Sequence, residues 1–161
     1  MILIQDLKSR SVYWLMFPIL VLLFLILQYQ NDHELLAIWQ PALINIGFLA
    51  SQILLVSAYF SIKNKRLINI TDQLLGLGDI LFLLSISIYL SVLNFLVFYI
   101  LSLVIVLFSW LTWQLFSQKK GHEIPLAGLQ ALILIVVLSC DWWVKNLNLT
   151  VDTWLLNLIT K

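Results

Sequence analysis

Two aspartates are the residues of this chain best suited to chemistry: Asp6, in Gln5-Asp6-Leu7-Lys8-Ser9-Arg10, and Asp79, in Gly76-Leu77-Gly78-Asp79-Ile80. An ionised carboxylate near the centre of a bilayer costs at least about 2.5–3.5 kcal/mol on insertion scales. An acid inside strongly apolar sequence therefore faces a polar cavity and does something there. Brought close together, two carboxylates do not both ionise easily, so one keeps a proton while the other serves as a base. Such a pair activates a water and protonates a carbonyl, the chemistry of aspartic proteolysis, with no metal and no nucleophilic side chain. Gly76 and Gly78 remove side chains beside Asp79, permitting an irregular turn and close approach of another helix or an extended peptide.

No competing constellation is present. The sequence has no HExxH, no Ser and His arrangement and no Walker loop. A single Cys140 excludes an intrachain disulfide and a four-Cys zinc module, and two histidines, His33 and His122, are too few for the usual mixed sites. No cofactor and no metal is expected.

The elements that must hold the two acids are membrane helices. The chain is 62% hydrophobic and 11% charged, with a mean hydropathy of +1.02, far from the roughly 25% charged of soluble domains. Its 161 residues suit one membrane domain, 1–161. Nine Lys and Arg scattered between apolar runs, for a net charge of +1, argue against a nucleic-acid surface.

Apolar runs occupy Val12 to Gln28, Leu35 to Ile62, Ile80 to Leu90, Phe95 to Phe116 and Ile124 to Cys140. They predict an all-α integral membrane protein, a polytopic bundle of about five transmembrane helices. A transmembrane barrel is excluded, because the runs do not alternate and mostly far exceed about 10 residues. A span needs about 20 residues, so the third run is long enough only if its helix begins near Gln73 and includes Gly76 to Asp79. Thr71 and Asp72 are suitable N-caps for it, and Asp72 would share a face with Asp79 if the helix were unbroken. Pro18 and Pro41 fall inside spans, where neighbouring helices or water must satisfy the freed carbonyls.

Basic residues cluster in alternate loops: Lys8 and Arg10, then Lys63, Lys65 and Arg66, then Lys119 and Lys120. Those loops are expected on the cytoplasmic side. Asp6 and Asp79 then share the cytoplasmic face, and the C-terminus lies outside. The tail, 141–161, carries Trp142, Trp143 and Trp154 among apolar residues and reads as an interfacial segment in contact with membrane lipid.

Asp6-Leu7-Lys8-Ser9-Arg10-Ser11-Val12 resembles the first-aspartate motif of type IV prepilin peptidases, an Asp followed by alternating basic residues and a β-branched residue. Gly76-Leu77-Gly78-Asp79 matches their GxGD motif, and Ile124-Pro125-Leu126-Ala127-Gly128 resembles the Ile-Pro and Gly stretch that opens their last helix. The likeness extends over nearly the whole chain. It implies an aspartic endopeptidase of the bacterial inner membrane that cuts a basic leader from pilin-like precursors beside their hydrophobic helix. Asp6 and Asp79 would be the catalytic dyad, with Gly76, Gly78, Pro125 and Gly128 supporting it.

The chain departs from that pattern in several places. Only Met1 to Gln5 precede Asp6, where the family has a first helix, so a helix upstream is expected to be missing. The cysteine-motif insertion linked with N-methylation is lacking, Tyr13 stands where a Pro is usual, and no Pro follows Gly128. Two other functions would use the same sequence: a proton or cation relay through the carboxylates, and a catalytically silent structural subunit.

Overall fold

A computed structural model describes residues 2, 5–6, 13–31, 35–65, 76–116, 126–143 and 148–159. Among the described residues six helices follow in order: α1 (Met16–Asn31), α2 (Leu35–Asn64), α3 (Leu77–Ile86), α4 (Val92–Phe116), α5 (Leu126–Trp143) and α6 (Thr153–Ile159). Among the described residues there is no strand. Ile2, Gln5 and Asp6 are also helical.

Three helical segments are long and apolar enough to cross a membrane: Ile38–Asn64, Val92–Leu115 and Leu126–Trp143. Met16–Tyr29 and Leu77–Ile86 are apolar but shorter. Long apolar side chains point outward along these helices, with Leu54 68%, Phe108 63% and Leu115 84% exposed. Helices apolar on all sides, with a large fraction of that surface outside the core, belong in lipid rather than water. The chain is an all-α helical membrane protein.

α3 is the central element, packing against α1, α2 and α5, while α4 packs against α2 and α5. Phe82, Ile86, Leu90 and Phe95 form the centre of the core, joined by Phe24, which stacks on Tyr89 at 4.8 Å between ring centroids. Phe48 packs edge-on against both Phe95 and Tyr99 and so closes α2 onto α4.

Two helix starts differ from the sequence expectation. α3 begins at Leu77, not near Gln73, because Gly76 is extended (φ −61°, ψ 136°) and forms the N-cap. Asp79 is consequently in the first turn of α3, not within a continuous helix. Thr71 and Asp72, expected as caps, lie outside the described residues. α1 begins at Met16, four residues after Val12, which puts Pro18 in the first turn, where its missing N–H costs no intrahelical bond. Pro41 does lie within α2. α2 ends at Asn64, followed by Lys65 in the left-handed region (φ 51°), the conformation that commonly terminates a helix.

α3 is also shorter than its apolar run, stopping at Ile86 while the chain turns through 87–91 into α4. A turn there leaves backbone carbonyls without helical partners in an apolar interior. Asn45 of α2, almost wholly buried, answers this by donating from Nδ2 to the carbonyls of Ser87 (3.0 Å) and Leu90 (2.9 Å). Leaving such carbonyls unpaired would cost about 1–3 kcal/mol each.

The tail completes the same end of the bundle. Ser91 N donates to Leu149 O at 3.1 Å, and Asn94 Nδ2 donates to the carbonyls of Leu149 (3.1 Å) and Val151 (3.2 Å). Asp152 Oδ1 accepts from Ser91 Oγ (2.5 Å) and from the Leu93 amide (3.1 Å), capping the first turn of α4 from outside its own segment. Leu149 enters the core, whereas Trp142 and Trp143 remain exposed, as an interfacial position requires. The segment expected to lie along the membrane surface is thus also strapped to the helix start it covers.

Candidate active site

The opposite end of α3 carries the acids. Asp79 is the third residue of α3, where a side chain reaches back over the helix start. Its Oδ2 lies 3.2 Å from where a Cβ on Gly76 would be, so the bare glycine makes room for the carboxyl to fold over the cap. The Gly76 carbonyl accepts the Asp79 amide at 3.0 Å, closing the turn. Gly78 is half-buried in the same turn.

Asp6 arrives from the other end of the sequence and is 8% exposed. Its Oδ2 accepts the Gly128 amide at 2.6 Å. Gly128 is the third residue of α5, whose first N–H groups have no partner inside the helix. Asp6 therefore caps the start of α5 from a distant part of the chain. The segment is tied further by the Tyr13 amide, which donates to Gln5 Oε1 at 3.3 Å.

The two acids meet through α5. α3 packs against α5, and the Asp79 carboxyl faces the backbone of Ala127, beside Gly128, and of Gly76, within range of the charge of Asp6. Asp6, held by the Gly128 amide, and Asp79, facing the backbone of Ala127, are thus both directed at the start of α5. A Cβ on Gly128 would stand 3.0 Å from Asp6 Oδ2 and 3.1 Å from Asp6 Cβ, so Asp6 would have to shift to admit one. Chemically, such an arrangement shares one proton between two acids and presents one base and one acid to a bound carbonyl and water.

Of the residues expected at the site, Asp6, Asp79, Gly76 and Gly128 are brought together and Gly78 lies in the same turn. Pro125 lies outside the described residues. Ala127 has a role that no sequence reading identifies, because it acts through its backbone and its side-chain type carries no signal. Asn45 was detectable as one of three amides, with Gln40 and Gln52, in the apolar run Leu35 to Ile62, where a buried amide demands partners. Among the described residues no group of three or more His, Cys, Asp or Glu could hold a metal ion.

The chain matches no family model, no curated protein and no solved structure.

Proposed function

We propose that this protein is a membrane aspartic endopeptidase of the prepilin-peptidase type. It removes basic leaders from pilin-like precursors at the cytoplasmic face of a bacterial inner membrane. The observation that carries the reading is the convergence of Asp6 and Asp79, 73 residues apart in sequence, on the start of α5. The described residues there, Asp6, Gly76 to Asp79 and Leu126 to Gly128, each come from a stretch that resembles one of the family's motifs.

In the reaction the ionised aspartate takes a proton from water as the water oxygen bonds to the scissile carbonyl carbon. The protonated aspartate gives its proton to the carbonyl oxygen. Collapse of the tetrahedral diol breaks the C–N bond: the leaving nitrogen takes the proton held by the first aspartate, and the second aspartate takes a proton back from a diol hydroxyl as the new carboxyl group forms. The pair ends with one proton, as it began.

The test is cleavage of a membrane-embedded pilin-like precursor by the purified full chain in liposomes. Asp6→Asn and Asp79→Asn should each abolish cleavage while membrane insertion is kept. An active single variant overturns the proposal, and carboxylate-dependent ion flux without cleavage would replace it with a relay.

A further inference from the structure

Gln130, on α5, is the most completely buried amide of the bundle, with 0% exposure. Its Nε2 donates to Ser102 Oγ of α4 at 3.3 Å, and Ser102 Oγ donates its own proton to the Tyr99 carbonyl at 3.1 Å. That chain fixes the orientation of the amide. With its only proton committed to Tyr99, Ser102 can only accept from Gln130, so the nitrogen must face it. Gln130 Oε1 is then the free end, and it has no hydrogen-bond partner among the described residues.

An enclosed carbonyl oxygen with no donor is a rare and costly feature, and buried acceptors of this kind are ordinarily satisfied by ordered water. An amide at this position therefore needs a donor for its oxygen if it is not to destabilise the bundle. Gln130 lies about one helical turn after Ala127, and helical side chains lean toward the N-terminus of their helix, which here is the end that carries Gly128 and its bond to Asp6. The flanking residues on α5, Ala127, Gly128 and Ala131, are buried and small.

We propose that Gln130 Oε1 and Ser102 Oγ form an internal water site one turn inside the aspartate pair. The water gives one hydrogen to each oxygen: Ser102 Oγ keeps a lone pair after accepting from Nε2, and Oε1 has both of its own. The water site stands whether or not the chain is a protease. Its use as a reserve for the attacking water rests on the proteolytic reading.

The test is water-edited solid-state NMR of the full chain in lipid bilayers, with 13C-labelled glutamine and phenylalanine. The Gln130 side-chain carbonyl should receive magnetisation from water as quickly as exposed side chains do, despite its complete burial. Ser102→Ala should slow that transfer severalfold by removing one of the two oxygens. Gln130→Met, equal in length but without the amide, should lower the Tm. Transfer to Gln130 no faster than to the core ring of Phe82, or a Gln130→Met variant as stable as the parent, overturns the proposal. Neither readout requires a substrate, so absence of cleavage by the unmodified chain would count against the endopeptidase and leave the water site standing.

Discussion

Asp6 Oδ2 accepts the backbone N–H of Gly128 at 2.6 Å across 122 residues of sequence, so a carboxylate near the chain's start caps the helix near its end. The contact is closed on the glycine side by sterics and on the aspartate side by burial. It makes the placement of Asp6 sensitive to a single methyl group.

Gly128→Ala should destabilise the protein by about 1–3 kcal/mol, because the added Cβ overpacks against Asp6. In an ordinary helix interior the same change gains about 1 kcal/mol. Gly47→Ala provides the contrast: nothing lies within 4 Å of its Cβ position in the middle of α2, so that variant should be as stable as the parent or more so. Thermal unfolding in one detergent would read the opposite signs.

Asp6→Asn and Asp79→Asn should each lower precursor cleavage by about 10²–10⁴-fold. The double variant should be little worse than either single one, because the two acids act as a unit. Single-turnover cleavage of the three variants would show this, and multiplied effects would mean that the carboxyls work separately.

Asn45→Leu should cost at least about 2 kcal/mol, since the carbonyls of Ser87 and Leu90 lose their shared donor in an apolar interior. Asn45→Asp, which has no donor when ionised, should be no better. Unfolding in graded denaturing detergent measures both.

Asp152→Leu should release the tail, because Ser91 Oγ and the Leu93 amide lose their acceptor. The loss is about 0.5–2 kcal/mol, the range for removal of a helix cap. Faster proteolysis near Asn148 to Thr153, with the bundle otherwise intact, is the expected readout. A tail held only by lipid would be cut at the same rate in both proteins.

Cys140 is the only cysteine and is exposed near the end of α5 that adjoins the strapped tail. If the basic loops face the cytoplasm, a membrane-impermeant maleimide should label Cys140 from outside intact cells. Labelling only after permeabilisation would reverse the topology and put the two aspartates on the outer face.

Much of this molecule was legible in order along the chain. Five of the helices follow the five apolar runs, because the hydrocarbon interior of a bilayer obliges each run to satisfy its own backbone. The cost of carboxylates in such a chain singled out Asp6 and Asp79 for the same reason. Where α3 starts and stops was not legible. Apolar character continues through Leu90, and only the extended backbone of Gly76 at one end and the Asn45 hydrogen bonds at the other set its ten residues.

The sequence by itself determined that this is a helical membrane protein with two acids that need a reason to exist, since composition and charge are properties of the chain alone. The tertiary structure decided that those acids come to the start of α5, where the Gly128 amide donates to Asp6 and Asp79 faces the backbone of Ala127. It also decided that the tail caps α4 through Asp152. Backbone N–H groups are the same in every residue but proline, so which of them stay unpaired, and which distant side chain comes to meet them, is fixed only when the helices pack.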